Sequence, residues 1–225
     1  MKTDGKNVIF DMDGIIFDTE RLMLSCWKSV CPNYGITDIE VIYPSCIGAD
    51  DRRTLEIFDN YYGGKYPLTK IRQEVIQLMR TEVDLNGPPM KPYVNDLLSY
   101  LKGNRFQIAL ASSTESQQVV RELTQAGIIS YFNAVIGGDM VSRGKPAPDI
   151  FLYACRKLSC DPADAFVIED SENGIRAAFS AGAAPIMVPD IIKPSAEVLN
   201  MCRHVFRNLG EVKDFFQKVV EAKNR

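Results

Sequence analysis

Three short apolar runs end abruptly in polar, reactive residues. Val8-Ile9-Phe10 runs into Asp11-Met12-Asp13-Gly14, Ile108-Ala109-Leu110-Ala111 into Ser112-Ser113-Thr114, and Phe166-Val167-Ile168 into Glu169-Asp170. Runs that are apolar at successive positions, rather than alternating, read as parallel strands covered on both faces. Parallel strands need helical crossovers, and these bring every strand's carboxyl end to one edge of the sheet, where ligands bind. A chain with such runs is constrained to an α/β doubly wound sheet with its chemistry gathered on that edge.

The rest of the sequence fits this frame. Strands are expected near 7–11, 106–111, 134–137, 165–168, 185–188 and 203–206, alternating with helices after residue 90. Thr114-x-x-Gln117 fits a capping box opening one helix, and Asn208-x-x-Glu211 fits another that leads into Val212, Phe215, Phe216 and Val219. Pro148 suits a first helical position, ahead of the stripe Ile150, Phe151, Ala154, Cys155 and Leu158. Asp170 or Ser171 suits the N-cap of a helix over 172–181, with Asn173 and Gly174 shaping its first turn.

Residues 17–86 break the alternation. They read as helical, near 19–31, 50–62 and 68–84, with Asp18 as an N-cap and Glu20 favourably placed against the helix dipole. The expected division is therefore a core of 1–16 and 87–225 with a helical insert of 17–86, set as a lid above the catalytic edge. Asn86-Gly87-Pro88-Pro89 opens the return to the sheet. Trp27, Phe58, Tyr61 and Tyr62 are expected to pack the insert.

Composition removes several function classes. A chain of 225 residues can hold a core domain with an insert. Its net charge of −3 supplies no basic stripe for nucleic acid. No apolar run is long enough to span a bilayer, and the first strand that follows Met1–Lys6 is too short to be the apolar region of a signal peptide, so a cytoplasmic protein is expected. The six cysteines have no Cys-x-x-Cys spacing and are expected to be free packing thiols. The single histidine, His204, opens an apolar triplet and is expected to pack there, which leaves a Ser-His-Asp triad without its base.

Acids at the ends of buried strands are costly unless a cation or specific hydrogen bonds offset them. Asp11 is the candidate nucleophile, able to attack phosphorus and form an aspartyl-phosphate. Asp13 lies two residues on, suited to protonate a leaving alcohol and then activate water, with its backbone carbonyl a further metal ligand. Glu169 and Asp170 add oxygen donors of the kind Mg²⁺ prefers, Asp170 directly and Glu169 directly or through water. Ser112 and Ser113 stand before a helix, where backbone N–H groups bind anions, and Lys145 offers a positive charge to a phosphoryl group. Arg52 and Arg53 are the substrate-binding candidates of the insert, against a solvated helix face.

These blocks, in this order, resemble the haloacid dehalogenase-like hydrolase superfamily. Asp11-Met12-Asp13-Gly14-Ile15-Ile16-Phe17-Asp18-Thr19-Glu20, Gly144-Lys145-Pro146-Ala147-Pro148-Asp149-Ile150-Phe151 and Val167-Ile168-Glu169-Asp170-Ser171-Glu172-Asn173-Gly174 resemble its beta-phosphoglucomutase-like phosphatase branch. The resemblance implies a Rossmann-like core, an all-helical cap, Mg²⁺ and phosphoryl transfer through Asp11. It carries functional roles to Asp11, Asp13, Ser112, Lys145, Glu169 and Asp170. Dehalogenases of the superfamily lack the second aspartate, present here as Asp13. Mutases of the branch carry a cap histidine where this chain has Met23, and a lysine where it has Glu115. Their basic cap signature is replaced by Ile47-Gly48-Ala49-Asp50-Asp51. The expectation is a phosphatase acting on a small sugar, polyol or glycolate phosphate, as a monomer or weak homo-oligomer. A sugar phosphomutase is the alternative, and a non-catalytic phosphometabolite-binding protein the second.

Overall fold

The computed structural model describes residues 6–47 and 51–223. Gly48, Ala49 and Asp50 of the cap segment, and the first five residues, lie outside the described residues. The chain divides into two compact units, Asp18–Pro89 and the combination of Met1–Phe17 with Met90–Arg225.

Unit Asp18–Pro89 is helical among its described residues: α1 (Thr19–Val30), α2 (Ile39–Ile42), α3 (Asp51–Tyr62) and α4 (Leu68–Asn86). Its core gathers Trp27, Val30, Phe58, Ile71 and Val75, with Met23 packed at the margin. Trp27 meets Phe58 edge to face at 4.8 Å. The aromatic residues therefore pack as expected, except that Tyr61 is 45% exposed. The Tyr61 and Tyr62 hydroxyls both donate to the Asp38 carboxylate, at 3.1 Å each. Asp18 sits at the N-cap position of α1 without a side-chain capping bond, and its carboxylate accepts from Arg21 at 2.7 Å instead.

In the other unit, six strands among the described residues form one parallel sheet. They are β1 (Asn7–Phe10), β2 (Gln107–Ala111), β3 (Ala134–Ile136), β4 (Ala165–Glu169), β5 (Ala184–Met187) and β6 (His204–Val205). The order is β3-β2-β1-β4-β5-β6, and each strand lies within one residue of its expected bounds. The helices are α5 (Val94–Gly103), α6 (Ser116–Gln125), α7 (Asp149–Leu158), α8 (Glu172–Ser180), α9 (Ala196–Leu199) and α10 (Leu209–Lys223).

Strand periodicity sorts the core into two layers. Val8, Phe10, Ile108, Leu110 and Ile168 face a layer built with Leu97, Leu101, Val119, Leu123, Val212 and Phe216 of α5, α6 and α10. Ile9, Ala109, Ala111 and Val167 face the opposite layer, filled by Ile150, Phe151, Ala154 and Leu158 of α7 and Ala177 and Ala178 of α8. Burial on both faces is why these strands carry no polar alternation. Helix α5 is not among the helices expected above, although Val94, Leu97, Leu98 and Leu101 recur at helical spacing and are all buried.

Three helix starts differ from expectation. Helix α6 begins at Ser116 rather than after a Thr114 cap, and Asp139 supplies the capping oxygens. Pro148 is the N-cap of α7, not its first helical residue. At α10 Asn208 caps the Glu211 N–H as expected, but Glu211 returns its bond to Arg207 N, one residue early. Ser171 caps α8 through the Gly174 N–H, as expected. All six cysteines are free, four of them buried. His204 packs against Phe206 and Phe215, and burial lowers its pKa. Among the described residues no helix is long and apolar enough to cross a membrane.

A largely buried ion pair ties the return of the chain into this unit. Lys91 donates to Asp190 at 2.6 Å with side chains 16% and 5% exposed. Lys91 N also donates to Ile16 O, tying the return of the chain to the segment after β1. Lys91→Met is expected to cost about 3 kcal/mol in urea unfolding, because it takes the ammonium away from a buried carboxylate. The double variant Lys91→Met/Asp190→Leu should recover most of that loss, since an apolar pair carries no desolvation penalty.

Candidate active site

The chain passes from β1 through β2 to β3 on one side of the sheet and then returns to β4 on the other side of β1. The carboxyl ends of β1 and β4 thus flank a topological switch point, the usual place for a ligand in an open α/β sheet. Asp11 N donates to Ile168 O at 3.0 Å, the last rung between these strands. This rung fixes Asp11 beside Glu169 and Asp170. One oxygen from each of the three carboxylates lies within 4.8 Å of the others.

Lys145, from the loop ahead of α7, enters this cluster. Its Nζ donates to Asp11 Oδ1 and to Glu169 Oε1, both at 2.6 Å, and its side chain is 7% exposed. The Phe151 ring lies 5.1 Å below the ammonium, a cation–π contact. The Lys145–Pro146 peptide is cis.

Glu169 is fully buried and both its oxygens are engaged. Oε1 meets Lys145, while Oε2 accepts from Asp170 N, Ser171 N and Ser171 Oγ. Its role is to hold Lys145 and the turn into α8. Two glycines make this packing possible. A Cβ on Gly14, at φ +78°, would fall 2.1 Å from Asp170 Oδ2, and one on Gly174 would fall 1.8 Å from Glu169 Oε1.

The charges show what the cluster is suited to hold. Burial and then the Glu169 charge push the Asp11 carboxyl up to about 7, against the pull of Lys145. Burial, followed by Glu169 and Asp11, drives Asp170 well above the ordinary carboxylate range. Burial alone would lower the Lys145 pKa, but the two carboxylates outweigh it and raise the value above that of an ordinary lysine. Three carboxylates face one ammonium, and their donors are hard oxygens. This donor set fits a divalent cation such as Mg²⁺. Asp11, Glu169 and Asp170 each bring one oxygen to this group, and both Glu169 oxygens also accept hydrogen bonds.

Ser112 continues the edge from β2. It is fully buried, its N–H donates to Ile136 O at 3.0 Å, and its Oγ accepts from Thr114 N at 3.0 Å. Ser113, one residue on, is exposed. The Asp13 carboxylate stands outside the three-carboxylate group and accepts from Thr114 Oγ1 at 3.2 Å. Thr114 was read from sequence as a helix cap; three hydroxyl residues in a row before one helix are more than a cap requires, and that surplus was the available signal. Asp139, which anchors the start of α6, had no local signal because its partner Ser116 lies 23 residues away.

In the helical unit, Arg52 and Arg53 are exposed, and each pairs with Glu56 at 3.3 Å.

The family model described as haloacid dehalogenase-like hydrolase matches residues 8–188. The chain belongs to the haloacid dehalogenase-like hydrolase family. Among curated members, a phosphorylated carbohydrates phosphatase of Thermotoga maritima is 32% identical over 78% of this chain and 81% of its own length. A protein of Drosophila melanogaster named for pseudouridine-5'-phosphatase activity is 32% identical over 91% of this chain and 90% of its own. A beta-phosphoglucomutase of Bacillus subtilis is 33% identical over 79% and 80%. Among solved structures, a family hydrolase of Deinococcus radiodurans with bound phosphate and sodium shares the fold. Its TM-score is 0.80 at 22% identity, covering 92% of this chain and 93% of that one.

Proposed function

We propose that this chain is a Mg²⁺-dependent phosphatase that hydrolyses a small sugar, polyol or glycolate phosphate through an aspartyl-phosphate on Asp11. The observation that carries this reading is the Asp11 carboxylate, held by Lys145 at 2.6 Å at the sheet's switch point. With Oδ1 fixed by that bond, Oδ2 is the attacking atom. Ser112 Oγ already accepts from Thr114 N, so its hydroxyl proton is available to a phosphoryl oxygen. Lys145 balances the charge on the same group, and the Ser113 backbone extends the cradle. Asp13 protonates the leaving oxygen, and its carboxylate then takes a proton from the water that hydrolyses the acyl phosphate. Asp11, Asp170 and the Asp13 backbone carbonyl would hold Mg²⁺, which when bound neutralises phosphoryl charge. The curated relative named as a phosphorylated carbohydrates phosphatase supports this substrate class.

Phosphate release is to be measured with Mg²⁺ on fructose 1-phosphate, glycerol 3-phosphate, glucose 1-phosphate and phosphoglycolate, with each sample also assayed for isomerised sugar. Free phosphate from at least one substrate, abolished by EDTA, is the expected result. The relative named as a beta-phosphoglucomutase keeps the mutase reading open to this test. Isomerised product with little free phosphate would establish it. Ligand binding without turnover would favour a non-catalytic protein.

A separate prediction concerns the cation. Asp170→Asn removes a carboxylate that burial and two like charges disfavour, so the melting temperature without metal should equal or exceed that of wild type. Wild type should gain several degrees on adding Mg²⁺, and the variant should gain little.

A further inference from the structure

We propose that Thr114 is a positioning residue that holds Asp13 for proton transfer to the leaving oxygen, an inference that rests on the phosphatase reading above. Thr114 is secured through all its polar groups. Its N–H donates to Ser112 Oγ at 3.0 Å, its carbonyl accepts from Gly138 N at 2.9 Å, and its Oγ1 donates to Asp13 Oδ2 at 3.2 Å. The last bond joins residues 101 positions apart and links the loop after β2 to the loop after β1. A general acid is effective only when its proton lies within hydrogen-bond reach of the leaving atom. Asp13 follows the strand and stands outside the Asp11, Glu169 and Asp170 group. Thr114, anchored through Ser112, aligns the acid with the same loop that holds the phosphoryl group.

The step that depends on this alignment is the first half-reaction. The Asp11 oxygen–phosphorus bond forms, the phosphorus–ester oxygen bond breaks, and its electron pair goes to the leaving oxygen. That oxygen takes the proton from the Asp13 carboxyl. An alkoxide needs this proton, whereas p-nitrophenolate is a stable anion that departs without it. The value of kcat/KM reports this half-reaction alone, because release of the alcohol is its first irreversible step.

The test compares wild type, Thr114→Val, Thr114→Ser and Asp11→Asn on fructose 1-phosphate, glycerol 3-phosphate and p-nitrophenyl phosphate. Valine is close to threonine in shape and removes only the hydroxyl, and serine retains it. Thr114→Val is expected to lower kcat/KM for the alkyl phosphates about tenfold and for p-nitrophenyl phosphate by less than about threefold. Thr114→Ser should recover most of the alkyl activity. Melting curves for each variant monitor folding. Equal losses on both substrate types would mean a structural role and overturn the proposal, as would full alkyl activity in Thr114→Val. Turnover by Asp11→Asn, or none by wild type, would overturn the phosphatase reading itself.

Discussion

Asp11→Asn is expected to lower phosphate release by at least about 10⁴-fold while leaving the fold intact. The amide has no anionic oxygen with which to attack phosphorus, and the neighbouring Glu169 has both oxygens engaged. Stability should not suffer, because the wild-type carboxylate is itself poorly accommodated. Its pKa rises from 3.8 to about 7, so the native state binds more protons than the unfolded chain between those values. Stability therefore falls as pH rises across that window, and a neutral isostere escapes the penalty. At neutral pH the variant's melting temperature should match or exceed that of wild type without metal. Substantial residual turnover in a well-folded variant would exclude Asp11 as the nucleophile.

Lys145→Met should have the largest effect on stability. The lysine is the one cation bonded to both Asp11 and Glu169 among the described residues, and its side chain is 7% exposed. Methionine fills similar space but leaves two buried carboxylates facing each other. Breaking a buried ion pair from one side costs about 3–5 kcal/mol, and this loss should be visible as a lowered urea midpoint. The sign of its pH dependence follows from Asp11. Lys145 pulls the Asp11 pKa down, so removing it widens the window in which ionisation opposes folding. The variant's deficit should be greater at about pH 8 than at about pH 5, where the carboxyls take up protons at less cost. A deficit independent of pH would mean that packing against Phe151, rather than charge, is what Lys145 contributes to the fold.

Much of this architecture was legible from local sequence. The central strands β1, β2 and β4 were visible because each is a short run buried almost throughout on both faces, and burial of that kind excludes polar alternation. Ser171 was readable as a cap because its acceptor and donor lie three residues apart. Misreadings arose where the partner was distant. Thr114 has the spacing of a capping box, yet Asp139 takes that task from another loop and frees the threonine hydroxyl for Asp13. Glu169 and Asp170 are adjacent and chemically alike, and only the contacts separate them. One is consumed by Lys145 and three donors of its own turn, while the other is left as a carboxylate poorly compensated in charge.

Local sequence was enough to specify the fold class and the strand ends on which the acidic and hydroxyl residues sit. Those properties follow from side-chain periodicity and from chemistry written within a few residues. Only the tertiary structure decided which groups meet. Lys145 reaches Asp11 across 134 residues of chain, a pairing that no spacing rule encodes. The physical reason is topological. Strand order places β4 beside β1 and thereby concentrates three acids, two of them buried, and their shared need for positive charge defines the site.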